Sequence, residues 1–345
     1  MRGSENHSDC PSDVPLKTRT RTTPIQQHYI GRFAPSPTGP LHFGSLIAAT
    51  ASYLCARQNN GQWLLRMEDV DTQREQKGAS QSIIQTLESY GFEWDGEIRF
   101  QSQHNDDYEA ALEALRELTY PCSCTRKSLQ NAQSTRIGKY GYIYPGFCRN
   151  GMATNTSKNT FKKPKNRGCV LVEPPHSIRI RSDNKHCNSN TQFKELCQPA
   201  PLKQDIEREV GDFILKRSDG LFAYQLAVIV DDELQGITDI VRGADLFDNT
   251  PRQIYLQCLL GFKHPQYLHF PVAVDSAGKK LSKQNLSPEI SADKKRKNII
   301  NTLHFLGQNP PKLSDFSNID DLWKWAVQNW DHQKIPKVLT ADTIT

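Results

Sequence analysis

Fourteen residues near the start of the chain, Arg32-Phe33-Ala34-Pro35-Ser36-Pro37-Thr38-Gly39-Pro40-Leu41-His42-Phe43-Gly44-Ser45, constrain its fold more than any other stretch. The preceding Tyr29–Ala34 run reads as a short strand, and the prolines with Gly39 halt it. From Leu41 to about Arg57, Leu46, Ile47, Ala51 and Leu54 recur at helical spacing. A strand, a proline-locked turn and a helix start expose unpaired N–H groups at the positive end of the helix dipole, which is a seat for phosphate. Gly44 lets a nucleotide approach the backbone closely. His42 can donate to phosphate oxygens whose charge grows in a transition state, and Ser45 adds a hydrogen-bonding group.

The α/β rhythm continues. A second strand, Gln62–Met67, precedes the acidic run Glu68-Asp69-Val70-Asp71, and helices are predicted over Gly78–Tyr90 and Tyr108–Leu118. This alternation predicts a parallel sheet. Residues 121–205, rich in Cys, Asn, Lys and Pro, break the pattern, with one short strand expected at Ser177–Arg181. The rhythm resumes at Asp212–Leu215. The apolar run Leu221–Val230 and the segment Gly236–Val241 read as buried strands, a helix follows from about Pro251, and Phe270–Val274 is a further strand. Short helices are expected at Ile299–Leu306 and Asp321–Trp330, with Trp323, Trp325 and Trp330 as tail core rather than an RNA-stacking platform.

Hydrophobic residues make up 37% of the 345 and include no run near the ~20 that a membrane span needs. The first 27 residues are polar, without the apolar core of a signal peptide, so a flexible lead-in and a cytoplasmic location are expected. The net charge is +5. Between Arg149 and Lys203, 11 Lys/Arg face 3 acids, a local +8 that leaves −3 for the rest. Such a patch suits RNA phosphates, and equally a solvated insertion. The nine cysteines are odd in number and carry no secretory context, so no disulfide framework is expected. Cys55 and Cys258 are read as buried thiols. Cys122, Cys124 and Cys148 lie within 27 residues and favour a structural zinc clamp lacking a fourth ligand. Tyr142, Tyr144, Cys169, His176, His186 and Cys187 compete for that place.

A second basic motif, Gly278-Lys279-Lys280-Leu281-Ser282-Lys283-Gln284-Asn285, offers mobile positive charge for a triphosphate and its leaving pyrophosphate. The Asp231-Asp232 pair and the Glu68–Asp71 run could suggest metal ligation. Mg²⁺ arriving with ATP and held mainly by phosphates is the preferred reading.

The first block resembles the signature loop and HIGH motif of class I glutamyl/glutaminyl-type tRNA synthetases, with Ser45 where many class I enzymes have a second histidine. The second resembles their KMSKS loop, with Lys283 at its second lysine and Leu281 in place of Met. Over about residues 28–340 the chain is most similar to the glutamyl-queuosine tRNA(Asp) synthetase group. The resemblance implies a class I Rossmann-type α/β sheet split by a zinc-containing insertion. It divides the chain into an extension (1–27), two catalytic halves (28–120 and 209–290), an insertion (121–208) and a short helical tail (291–345). It implies His42 and Lys283 as catalytic, and His42, Gly44, Ser45, Lys280, Ser282 and Lys283 as the ATP site. Arg32, Phe33, Ala34, Pro35, Ser36, Glu68, Tyr224 and Arg242 would bind L-glutamate, and Tyr144 would join Cys122, Cys124 and Cys148 on one Zn²⁺. The forked guanidiniums of Arg32 and Arg242 suit the side-chain carboxylate, and Glu68 suits the α-ammonium.

The chain ends about 55 residues after the Lys283 loop, short of the ~100 that an anticodon-binding domain would take. The expected activity is therefore tRNA-independent, ATP-dependent formation of glutamyl-adenylate, then transfer to queuosine at the wobble position of tRNA(Asp), by a monomer. A truncated glutamyl-tRNA synthetase charging the 3′ end, a non-catalytic tRNA-binding or amino-acid-sensing protein, and a small-metabolite nucleotidyltransferase are the alternatives.

Overall fold

A computed structural model describes residues 28–132, 135–138, 141–151, 176–183, 187, 190–193, 195–196, 202–275, 280 and 290–342. In chain order the first half comprises β1 (Ile30–Phe33), α1 (Phe43–Gln58), β2 (Gln62–Met67), α2 (Ala79–Ser89), β3 (Arg99–Phe100) and α3 (Asn105–Ala114). β1, β2 and β3 form a parallel sheet, with Ile30 opposite Gln62 and Arg66 opposite Arg99. The second half supplies α6 (Tyr224–Leu234), β11 (Asp239–Gly243), α7 (Thr250–Leu260), β12 (Gln266–Phe270) and β13 (Val272–Val274). β11 and β12 are also parallel. The halves meet where Thr238 N donates to Ile30 O and Ile30 N donates to Thr238 Oγ1, each at 2.9 Å. The strand order across the layer is therefore β3-β2-β1-β11-β12, with the direction of strand succession reversing between β1 and β11.

Between the halves lie β4 (Thr119–Cys122), α4 (Arg126–Gln130), β5 (Arg136–Gly138), β6 (Gly141–Ile143), β7 (Ser177–Ile180), β8 (Asn190–Phe193), β9 (Leu202–Asp205), α5 (Ile206–Glu209) and β10 (Phe213–Lys216). After them come α8 (Lys295–Phe305), α9 (Ile319–Asn329) and β14 (Thr340–Asp342), which pairs with β13.

The core forms where α1 packs on the sheet. Leu46, Ile47, Leu54, Trp63 and Leu65 are at most 1% exposed, and burying each contributes about 1.5–3 kcal/mol. Tyr53, Trp63, Phe92 and Trp323 pack with centroids between 4.9 and 5.6 Å, Trp63 stacked on Phe92 and Tyr53 meeting its neighbours edge-on. Trp323 Nε1 donates to Tyr90 O at 2.8 Å and Trp330 Nε1 to Cys55 Sγ at 3.3 Å, so Trp323 and Trp330 are core, Trp325 packs half-buried against it, and Cys55 is a buried thiol.

Several expectations need correction. Leu221–Val230 is not a strand. Its first residues turn back on β10, and from Tyr224 it is a helix whose Leu226–Val230 are all buried between α3 and α7. A segment apolar on every face has no period to separate the two readings. Residues from Phe213 do not rejoin the parallel sheet: β10, β7 and β4 form an antiparallel one. Pro271 splits the last expected strand into β12 and β13. Cys258 is exposed and disulfide-bonded to Cys187, so it is not a buried thiol, and Cys187 is not a spare metal ligand. Among the described residues no helix is long and apolar enough to cross a membrane. The basic segment 152–175 lies outside the described residues, as do Cys169 and His186.

Candidate active site

A cavity of about 450 Å³ opens beyond the carboxyl ends of β1, β2 and β11, at the reversal of strand order where α/β sheets part to admit ligands. β1 and its turn bring Arg32, Phe33, Ala34, Pro35 and Ser36 to its wall. The start of α1 brings His42, Gly44 and Ser45. Glu68 follows β2, Tyr224 opens α6, Arg242 lies on β11, and Lys280 closes the rim. Residues 200 positions apart in sequence thus share one wall. Lys280 pairs with Asp245 at 2.6 Å, while Ser282 and Lys283 lie outside the described residues.

His42 caps α1, its Nδ1 accepting from Ser45 N at 3.3 Å. That bond places the neutral ring's proton on Nε2, leaving His42 a donor on its other edge. The first turn of α1 holds no acid, so nothing there offsets the positive end of its dipole.

Beneath the cavity lies a set of buried charges whose pairing with one another was absent from the expectations. Arg32 Nε and Nη2 donate to the Asp232 carboxylate at 2.9 and 3.4 Å, and Arg66 Nη2 donates to Asp232 at 2.7 Å. Asp231 accepts from Arg99 Nε, Gln101 Nε2 and Tyr108 Oη at 2.7, 2.6 and 2.9 Å. Burial works to raise the Asp232 carboxyl, but Arg32 and Arg66 hold it below the usual range. The Asp pair is therefore an arginine partner rather than a metal site. In the acidic run, Asp69 caps Ser102 and Asp71 pairs with Arg74 and Arg217. The available signal was charge inside apolar strings: Arg66 within β2, and Asp231-Asp232 closing the apolar run of α6.

The two candidate carboxylate-binding arginines differ in consequence. Arg32 meets Asp232 within the protein. Arg242 donates to His269 Nε2, Thr250 Oγ1 and Tyr224 Oη at 3.0, 2.8 and 3.4 Å, and makes no ion pair among the described residues. Glu68 stands 3.7 Å from Arg66, and burial pushes its carboxyl up to about 7 despite Arg66 and Arg32. An ammonium group arriving beside Glu68 favours its ionised form. His269 and Thr250 were missed by sequence reasoning, because neither lies in a recognisable motif.

In the insertion, the Sγ atoms of Cys122, Cys124 and Cys148 lie within 4.8 Å of one another and could hold a metal ion. Tyr144 Oη is 3.4 Å from Cys122 Sγ and 3.6 Å from Cys124 Sγ, and Cys124 Sγ is 3.7 Å from Cys148 Sγ. Arg179 donates to Cys122 Sγ at 3.2 Å and lies over the Tyr144 ring at 4.0 Å. Tyr142 is exposed, and His176 does not join the cluster.

Residues 30–341 match the family model of tRNA synthetases class I (E and Q), catalytic domain. The chain is 46% identical over 316 residues to the glutamyl-Q tRNA(Asp) synthetase of Aromatoleum aromaticum, covering 91% of this chain and 92% of that one. It is 46% identical over 310 residues to that of Chromobacterium violaceum, covering 89% and 95%. It belongs to this glutamyl-Q tRNA(Asp) synthetase family, within the class I E and Q group. Among solved structures, the glutamate tRNA ligase of Elizabethkingia meningosepticum superposes with a TM-score of 0.69 at 22% identity, covering 92% of this chain and 67% of that one, a likeness of fold.

Asp232→Ala would strand Arg32 and Arg66 without their shared partner, and breaking a buried pair in this way costs about 3–5 kcal/mol. Urea unfolding of the variant checks this figure. A loss under about 1 kcal/mol would mean that Asp232 holds the two arginines no better than a surface ion pair does.

Proposed function

We propose that this chain activates L-glutamate with ATP as glutamyl-adenylate, without tRNA, and transfers the glutamyl group to queuosine at the wobble position of tRNA(Asp). The observation that carries the reading is one cavity that gathers an anion-binding helix start, a donor histidine, the Glu68 carboxylate and an arginine with no acidic partner among the described residues. This charge pattern is complementary to glutamate. Glu68 takes the α-ammonium, Arg242 with Tyr224 takes the side-chain carboxylate, and the Arg32–Ser36 wall holds the amino-acid backbone. ATP places its phosphates at the start of α1, against His42 Nε2, Gly44 and Ser45. Lys280 stands at the rim, and the resemblance adds Ser282 and Lys283 of the same motif to the ATP site.

In the first step a glutamate α-carboxylate oxygen attacks the α-phosphorus in line. The bond to the bridging oxygen breaks and pyrophosphate leaves with its electron pair. His42, the α1 N–H groups and Lys283 stabilise the charge that develops. Mg²⁺, bound through the phosphates, supplies further charge neutralisation. In the second step a queuosine ring hydroxyl attacks the acyl carbonyl, AMP leaves, and the hydroxyl proton passes to the departing phosphate. No covalent enzyme intermediate is required.

A structural Zn²⁺ fits the insertion cluster. A tetrahedral ion with ~2.3 Å bonds to sulfur and ~2.0 Å bonds to oxygen sets ligand separations near ~3.8 Å for S···S and ~3.5 Å for S···O. The 3.7 Å sulfur pair and the 3.4 and 3.6 Å tyrosine contacts lie close to those edges, which supports Tyr144 as the fourth ligand. Arg179 would offset the negative charge of the thiolates. The ion would tie β4 to the loop before Arg149. Metal analysis is expected to find one zinc per chain, lost in Cys148→Ser and loosened in Tyr144→Phe. Full zinc content in Cys148→Ser would exclude this ligand set.

Purified protein is expected to catalyse glutamate-dependent exchange of pyrophosphate into ATP without tRNA, and His42→Ala to slow it about 10²–10³-fold. After loading tRNA with labelled glutamate and digesting with ribonuclease, label should reside in the anticodon fragment. Label on the 3′-terminal adenosine instead would support glutamyl-tRNA synthesis.

Because Glu68 titrates near 7 in the empty site and must be ionised to meet the ammonium, KM for glutamate should fall as pH rises toward 7 and level above it. Glutamate binding at pH 6.5 should release a proton, read by calorimetry in buffers of different ionisation enthalpy. Both effects should vanish in Glu68→Gln. A KM profile equally steep in that variant would assign the titration to another group.

A further inference from the structure

Arg242 is held from behind by a chain of buried groups that begins in the insertion. Its Nε donates to His269 Nε2 at 3.0 Å, and His269 Nδ1 lies 2.6 Å from Glu195 Oε2. The same carboxylate accepts the backbone N–H of His269 through Oε1 at 2.7 Å. His269 and Glu195 side chains are fully buried. A guanidinium only donates, so Nε2 must accept, and the neutral ring must carry its proton on Nδ1, pointed at Glu195. Protonating the ring as well would set an N–H against the Arg242 Nε–H, and burial pushes His269 down to about 4, which keeps Nε2 an acceptor at neutral pH. Thr250 Oγ1 takes Nη2 at 2.8 Å, so two edges of the guanidinium are fixed and Nη1 faces Tyr224 and the cavity. Glu195 itself is kept in place by the edge of β12, where Leu196 N donates to Tyr267 O at 3.1 Å.

We infer that Glu195 and His269 are positioning residues that fix the tautomer of the imidazole and, through it, the roll of the Arg242 guanidinium toward the substrate's side-chain carboxylate. The inference rests on the proposed glutamate site and adds a determinant of its selectivity. It also gives the insertion a structural part in the amino-acid pocket, since Glu195 belongs to residues 121–208.

The two faces of His269 can be removed separately. His269→Asn keeps a group near Nδ1 for Glu195 and loses the acceptor for Arg242, whereas His269→Gln can present an oxygen near Nε2. Glu195→Gln has one acceptor oxygen for two donors, which sets its amide against either the backbone N–H or the Nδ1 proton. Pyrophosphate exchange is to be measured with glutamate and with glutamine, for wild type and all three variants, with thermal melting as a check on folding. KM for glutamate should rise roughly tenfold or more in His269→Asn and Glu195→Gln, while kcat and KM for ATP change less than about threefold. The ratio of kcat/KM for glutamate over glutamine should fall by a similar factor, and His269→Gln should restore most of it. Unchanged KM and selectivity in His269→Asn and Glu195→Gln would overturn the inference, and so would a parallel loss in KM for glutamate, KM for ATP and kcat. Absence of glutamate-dependent exchange in the wild type would instead overturn the proposed function, a distinct result.

Discussion

Charges can be buried only with partners, and this protein buries four beneath its active-site floor: Arg32, Arg66, Asp231 and Asp232, each no more than 4% exposed. The arginines come from β1 and β2, and the aspartates close α6. Their bonds therefore decide how α6 docks on the parallel sheet, and the rest of the site inherits that choice. Tyr224 is the first residue of the helix so docked. Glu68 follows Met67 directly out of β2, whose Arg66 lies 3.7 Å from its carboxylate. Arg32 is turned toward Asp232 and so presents the cavity with a guanidinium whose charge is already offset. An apolar replacement of this lattice would lose the direction of three cavity-lining side chains at once.

The lattice also sets which charges remain to line the cavity. With Arg32 matched by Asp232 and Lys280 by Asp245, Arg242 lines the cavity with no ion pair among the described residues, and Glu68 lines it as a carboxylate beside Arg66. Arg242, Glu68 and the dipole end of α1 are the charges that the proposed glutamate and polyphosphate would meet. A neutral amide could not satisfy Arg242 in the same way, because a guanidinium has only donors to offer.

The legible parts of this arrangement were local in sequence. The turn at Pro35–Pro40 and the helix after it were readable because proline and glycine fix backbone conformation where they stand, and β2 was readable from its residues alone. His42 and Glu68 sit beside such markers. The lattice was not readable, since the Arg32–Asp232 bond joins positions 200 apart and Asp231-Asp232 resembles an ordinary acidic pair until α6 is recognised as a helix. That recognition failed for a physical reason: Leu226–Val230 is enclosed on all sides, so no polar face marks a period. The three clustered cysteines were visible from spacing. The Cys187–Cys258 bond was not, because its partners belong to separate segments.

Where the insertion attaches is as informative as what it carries. Its antiparallel sheet is organised around buried Asp212, which accepts from Arg149 Nε and Nη2 at 2.6 Å each, from Ser182 N at 2.9 Å and from Tyr120 Oη. From that block Tyr255 Oη on α7 reaches Arg181 O at 2.8 Å, Cys187 bonds Cys258 on the same helix, and Glu195 bonds His269 on β12. These three attachments fall on the second half of the sheet, on the two elements that hold Arg242 through Thr250 and His269, while Lys216 and Arg217 at the end of the block pair with Glu109 and Asp71 of the first half. Through these bonds its seating and the roll of that guanidinium are parts of one packing problem, and a substitution that loosens α7 or β12 from the insertion reaches Arg242 before it reaches the start of α1.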